Sequence, residues 1–184
     1  LLSIIEAGEF LSDVRIVNNP NITSFVGILE VLTDSNLIAE LAIPAYIKYV
    51  NPIIGTNGMG HTFPGACVPF GVVQLSPDTD TIPHNVNGKY QGKVYEYCAG
   101  YQHRDNTIVG FSHTHLSGTG HSDLGDILIM PTTGKIQTNP GTADAPENGY
   151  RSRFSHETER CVPGYYEVKL DDYNILAQLT ATQR

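Results

Sequence analysis

The run from Gly164 to Ala181 constrains the fold more tightly than any other part of the chain. Tyr166, Val168 and Leu170 alternate with Tyr165, Glu167 and Lys169, so one face is apolar and the other polar. Asp171-Asp-Tyr-Asn174 interrupts, and Ile175, Ala177, Leu179 and Ala181 then resume the period of two. Side chains of an extended strand point alternately to opposite faces, whereas a helix would scatter this pattern around its circumference. The segment therefore predicts two antiparallel strands joined by a short polar loop, with one face in a core.

Shorter signals point the same way. Val72-Val73-Gln74-Leu75 reads as a strand closed by the turn signal Ser76-Pro77-Asp78. Thr107 to Phe111 and Ile127 to Met130 read as core strands, the second stopped by Pro131, and Arg151 to His156 alternates like a strand. Many short strands with frequent turns predict an all-β, antiparallel β-sandwich. The 18 glycines and 11 prolines suit that architecture better than a helix bundle. Residues 1–44 have a different texture, rich in Ile, Leu and Val and poor in aromatics. Short helices are expected over 1–11 and 28–41, and Asp34 and Ser35 could cap a short helix running through Leu37, Ile38 and Leu41. This stretch is read as an uncharacterised N-terminal segment or linker, and 45–184 as the sandwich domain. A strand ending so close to Arg184 suggests that the natural protein continues.

A net charge of −8 without a basic patch argues against a nucleic-acid partner. No apolar run approaches the roughly 20 residues of a membrane span, and Leu1-Leu-Ser-Ile-Ile lacks the basic flank and cleavage site of a signal peptide. Cys67, Cys98 and Cys161 are odd in number and form no CxxC pair, which excludes a zinc ribbon or redox dithiol and leaves free thiols or one disulfide. Asn21-Ile-Thr23 fits a glycosylation sequon, which matters only in a secreted eukaryotic protein.

Three segments carry the chemistry. Phe111 to Asp126 holds three histidines, three glycines and two aspartates between apolar runs. A polar, glycine-rich loop between core strands is how a rigid scaffold presents a site. His113-x-His115 would lie on one side of an extended chain, and His121, Asp123 or Asp126 could complete a metal site. The spacing fits neither a cupin nor a metallo-β-lactamase, and two other readings stand beside it: histidines that buttress the loop, and histidines that touch a ligand. Gly118-Thr-Gly120 is too short for a dinucleotide fingerprint. Asn51 to Gly71 holds five glycines and three prolines among interleaved apolar residues, an ordered loop carrying His61. Tyr95-Glu96-Tyr97-Cys98-Ala-Gly-Tyr101 interleaves aromatics with a carboxylate; rings stack on a pyranose face and carboxylates accept from its hydroxyls. A half-buried tyrosine strand would look the same.

Four long motifs give a more specific reading. NPIIGTNGMGHTFPGACVPFGVVQLSPD (51–78), AGYQHRDNTIVGFSHTHLSGTGHSDLGDILIMP (99–131), RFSHETERCVPGYYEVKLDDY (153–173) and LTAT (179–182) occur in this order. Together they resemble the N-terminal domain of family 92 glycoside hydrolases, which are exo-acting α-mannosidases. The resemblance covers Tyr46 to Arg184 and leaves 1–44 outside it.

The resemblance implies a β-sandwich packed on a C-terminal (α/α)6 catalytic domain of the same protein, with the active site between them. It implies inverting, calcium-dependent hydrolysis of terminal mannose from glycans, such as N-glycans or mannan, of α-1,2 type. It also implies a secreted, periplasmic or cell-surface location. Inversion uses two carboxyl groups roughly 6.5–9.5 Å apart, which leave room for the attacking water. In the family, that acid and base belong to the C-terminal domain, as does most of the calcium site. No catalytic residue or metal ligand is therefore assigned here, and the chain alone is expected to be inactive. Its expected share is one wall of the sugar pocket. The family often places a tryptophan before the Ala-Gly-Tyr motif to help form the leaving-sugar site. Here Tyr95 takes that position, Glu96 stands beside it, and the chain has no Trp. His61, His113, His115 and Ser117 are further candidates for pocket lining or loop support. Two readings from other classes remain: a non-catalytic carbohydrate-binding module, and a structural or assembly protein built on the same sandwich.

Overall fold

The computed structural model describes residues 12–16, 47–67, 73–118 and 125–181. The helices expected over 1–11 and 28–41 fall outside the described residues. Where side chains alternate most cleanly, the fold is most regular. Strand β10 (Tyr165–Leu170) pairs antiparallel with β11 (Ile175–Ala181), Val168 opposite Ala177 and Leu170 opposite Ile175. Tyr166, Val168, Leu170, Ile175, Ala177 and Leu179 are buried, as the period of two predicts, while Ala181 is half-buried. The loop between the strands closes on a backbone hydrogen bond from Asn174 N to Asp171 O, with Asn174 in the left-handed region that asparagine tolerates.

Strand β9 (Arg160–Val162) extends this sheet on one side and β1 (Ser12–Ile16) on the other, in the order β1-β11-β10-β9. The segment read as uncharacterised thus contributes a strand, with Val14 opposite Leu179. A second sheet has the order β2-β3-β7, built from Ala66–Cys67, Gln74–Asp78 and Gly110–Ser112. Two short pairs complete the described strands: β4 (Asn85–Val86) with β5 (Lys89–Tyr90), and β6 (Thr107–Ile108) with β8 (Ser152–Arg153). All pairings are antiparallel. Leu75 and Phe111 of the second sheet meet Tyr166, Val168, Leu170, Ile175, Ala177 and Leu179 of the first in one core, with Tyr101, Ile108 and Phe154 filling its margin. The fold is all-β, as expected. Each fully buried aliphatic or aromatic side chain in that core contributes about 1.5–3 kcal/mol relative to exposure.

Three local expectations are corrected. Ser76-Pro77-Asp78 does not close β3 but continues it, with Pro77 opposite Phe111. Gln74 N donates to His113 O and Asp78 O accepts from Val109 N, so every second residue of β3 faces β7. Pro77 faces the other side, where β2 has already ended after pairing with Gln74 and Leu75, and its missing N–H leaves no ladder bond unmade. The strand expected over 107–111 is split at Val109 into β6 and β7, which pair with different partners. Ile127 to Met130 is not a core strand: only Ile129 bridges Phe111, and Ile127 is 71% exposed in the left-handed region. The apolar run thus starts on the surface at Ile127 and Leu128 and turns inward only at its end, where Met130 packs against the core.

Candidate functional site

The glycine-rich segment after Asn51 is held by one amide side chain. Gln102 accepts from Gly58 N at 2.7 Å and donates to Gly58 O at 3.0 Å, a two-point grip on a single backbone unit. His103 N donates to Thr56 O at 2.9 Å, so the strip around 102–103 runs directly beneath the loop. The loop folds tightly on itself. A Cβ at Gly60 would lie 2.0 Å from Gly55 O, so only glycine allows this approach. The next residue, His61, adopts a φ of 51°, uncommon for a side-chain-bearing residue.

That turn aims His61 inward. The residue is 7% exposed, and its Nε2 is buried without a hydrogen-bond partner among the described residues. Its ring meets the Tyr95 ring edge-to-face at a centroid distance of 4.8 Å. Its carbonyl accepts from Gly118 N at 2.7 Å, which draws the end of the 111–118 loop alongside. His61, Tyr95 and the neighbourhood of Ser117, all nominated from sequence, thus come together. Ser117 is exposed and Tyr95 is 39% exposed, leaving part of its ring to solvent. Tyr95 sits on a 3-10 helix (Gly92–Tyr97) and not on a strand. The short turn buries Val94 and Tyr97 and leaves Tyr95 outward. Glu96 turns elsewhere: its carboxylate pairs with Arg104.

The two histidines of His113-x-His115 serve different neighbours. His113 Nδ1 donates to Ile127 O at 2.8 Å, tying the two arms of its loop. His115 points into the sheet, where Nδ1 donates to Gln74 O at 2.7 Å and Nε2 to Asp78 Oδ1 at 3.0 Å. Both nitrogens of the His115 ring therefore face acceptors, and a ring that donates twice is an imidazolium. Burial alone would lower its pKa, but the hydrogen bond and charge of Asp78 and the Gln74 carbonyl outweigh burial and raise it. Asp78 Oδ2 accepts from the Ser112 backbone N–H at 3.1 Å and from the Ser112 hydroxyl. Serine, histidine and aspartate meet here without forming a nucleophilic triad, because the hydroxyl gives its proton to the carboxylate and not to the imidazole. The pair is sealed by Gly100, whose φ is +77°. A Cβ there would lie 2.0 Å from Asp78 Oδ1 and 3.0 Å from His115 Nε2.

Above this pair opens a cleft of about 240 Å³, walled by Asp80, His84, Tyr97, Thr114 and Leu128; neither His61 nor Tyr95 lines it. Asp78, Ser112 and Gln74 escaped the sequence reading because they become partners of His115 only through the β3–β7 register. His121 and Asp123 lie outside the described residues. None of the three cysteines is disulfide-bonded. Burial and the neighbouring Glu159 push the Cys161 thiol up to about 12, so it stays protonated and inert.

Comparison with known proteins bears on this geometry. Residues 49–184 match the sequence model described as the glycosyl hydrolase family 92 N-terminal domain. A family GH92 α-mannosidase from Bacteroides thetaiotaomicron, solved with mannoimidazole, is 46% identical with a TM-score of 0.67, covering 75% of this chain and 17% of that one. An uncharacterised secreted glycosidase of Arthroderma benhamiae is 26% identical over 138 residues, 74% of this chain and 16% of that protein. An inverting mannosidase of the same family from Bacteroides thetaiotaomicron, at 24% identity and a TM-score of 0.50, covers 76% of this chain and 17% of its own and shares the fold. The chain thus spans about a sixth of the length of these relatives.

Proposed function

This chain belongs to glycosyl hydrolase family 92, whose N-terminal domain it matches over residues 49–184, and from that premise we propose that it forms one wall of the sugar pocket of an inverting, calcium-dependent exo-α-mannosidase of α-1,2 type. The substrate is terminal mannose on glycans. The observation that carries the reading is His61, a buried imidazole with an orphan Nε2, set edge-on to the half-exposed Tyr95. A buried polar atom without a partner costs about 1–3 kcal/mol, and a small turn of the His61 ring that brings that nitrogen to a sugar hydroxyl recovers it. The Tyr95 ring offers the apolar surface on which a pyranose stacks. Ser117 adds a hydroxyl at the rim, while Glu96, His113 and His115 hold their segments in place through Arg104, Ile127 O and Asp78.

The acid and base carboxylates belong, in this proposal, to a C-terminal (α/α)6 catalytic domain of the same protein. So does calcium, which takes six to eight oxygen ligands. The trio of metal-ligating side chains gathered among the described residues contains two imidazoles and does not fit that ion. The relative described as secreted supports a secreted, periplasmic or cell-surface location. No helix among the described residues is long and apolar enough to cross a membrane.

The test is hydrolysis of α-1,2-mannobiose by the enzyme containing this domain, followed by NMR of the released anomer. Tyr95→Ala should lower kcat/KM about tenfold, equivalent to about 1.4 kcal/mol, with the anomer still inverted. The 184-residue chain alone should release no mannose. Activity in the isolated chain, or an unaltered Tyr95→Ala enzyme, would overturn the proposal. Chelator-insensitive mannose binding by the isolated chain would favour a non-catalytic binding module instead.

A further inference from the structure

Away from His61 and from the Asp78–His115 pair lies a third polar cluster, around Glu159. Its side chain is only 4% exposed. One carboxylate oxygen is fixed by two phenols, with Tyr101 and Tyr166 hydroxyls donating to Oε1 at 2.7 and 2.6 Å. The other, Oε2, faces two imidazoles: His156 Nδ1 at 2.6 Å and His103 Nδ1 at 4.0 Å. Among the described ion pairs, Glu159 meets no lysine or arginine. A buried carboxylate needs a compensating positive charge, and among the described residues the two rings are placed to supply it. They pack against each other with centroids 4.1 Å apart, so protonating both would set like charges in contact. Coordination of one cation by both neutral rings satisfies the carboxylate without that repulsion.

We propose that His103, His156 and Glu159 form a binding site for a zinc-class divalent ion, with water as fourth ligand. One ligand atom from each residue lies within 4.8 Å of the others. Tetrahedral coordination at about 2.0–2.2 Å sets ligand atoms about 3.3 Å apart. The present spacings from Glu159 Oε2, 2.6 and 4.0 Å, straddle that value. Two imidazoles and a carboxylate suit zinc in a way they do not suit calcium. The tyrosines on Oε1 orient the ligating carboxylate from outside the coordination sphere. His103 and His156 are 41% and 37% exposed, so an ion reaches them from solvent without unfolding. On binding, His156 Nδ1 gives up its hydrogen bond to Glu159 and His103 Nδ1 its hydrogen bond to the Tyr101 hydroxyl; each neutral ring then carries its proton on Nε2 and offers the Nδ1 lone pair to the metal.

This proposal does not depend on the sugar-pocket reading. Its test is titration of the full chain with Zn²⁺ under excess Ca²⁺, with Co²⁺ absorption as a probe of geometry. One equivalent should bind, bind more weakly in acid because protons compete for the ligands, and give the strong visible Co²⁺ bands of a four-coordinate site. His103→Ala, at an exposed position that leaves the core intact, should weaken binding tenfold or more. Tyr101→Phe should weaken it about tenfold through the lost orienting bond. No saturable binding, a six-coordinate aquo-type Co²⁺ spectrum, or an affinity unchanged in both variants would each overturn the site.

Discussion

His115 and His61 are both buried, 4% and 7% exposed, and both lie in segments whose sequence invites a functional reading. The regions around them differ in one respect. At the β3–β7 junction every polar atom of the His115 cluster has a partner: two acceptors for the imidazolium, three donors for Asp78. In the loop after Asn51, His61 has the same ring and nearly the same burial, yet its Nε2 has no partner among the described residues. Burial therefore does not separate the two regions. The hydrogen-bond account does: the His115 network is closed and holds strands in register, while the open valence at His61 is what the proposed sugar wall rests on.

That contrast can be broken. Asp78→Ala should be the severest change, costing about 3–5 kcal/mol because it strands a buried imidazolium; urea denaturation measures it, and a loss below about 1 kcal/mol would mean the network is ornamental. Next comes pH. The His115 pKa is raised in the folded state. Its stabilisation is fully present below the ordinary value of about 6.5 and is lost as pH rises through the raised one. The denaturation midpoint should fall on the alkaline side in the native chain and stay flatter in His115→Gln; a rise in that window would contradict the paired imidazolium. The smallest effect on stability should come from His61→Phe, within about 1 kcal/mol either way, since an apolar ring leaves no orphan nitrogen. In the mannosidase proposed above, the same change should lower kcat/KM about tenfold, equivalent to about 1.4 kcal/mol. A large loss of stability there would move His61 into the scaffold.

How much of this was legible beforehand depends on the range of the interaction. The β10–β11 hairpin could be read because its signal, period two with a polar interruption, is local. His61, Tyr95 and His115 could be nominated because glycine-rich loops and interleaved aromatics mark them in sequence. What those side chains do was not legible, since it depends on partners brought in by strand register: Gln74 and Asp78 for His115, Ile127 O for His113. Ser76-Pro77-Asp78 misled because proline is a turn signal only when its missing N–H faces a partner, and here β2 has ended. Ile127 to Met130 misled because an apolar run looks the same whether it forms a core strand or, as here, a surface segment that turns only Met130 against the core. The cluster at Glu159 was invisible because His103 and Tyr101 lie far from His156 in sequence, and only the close spacing of His156 and Glu159 hinted at it.

Gly100 carries a consequence of another kind. Its left-handed backbone excludes most residues on conformational grounds, and the atoms waiting where a Cβ would go belong to a charged pair. A methyl group there would do more than crowd its neighbours: it would wedge apart Asp78 and His115, the bond that joins β3 to the loop beyond β7. A glycine at this position therefore keeps the Asp78–His115 contact intact. If the proposed sugar wall at Tyr95 is diversified, that one codon marks where the rigidity of the scaffold begins, and libraries belong on the Tyr95 side alone.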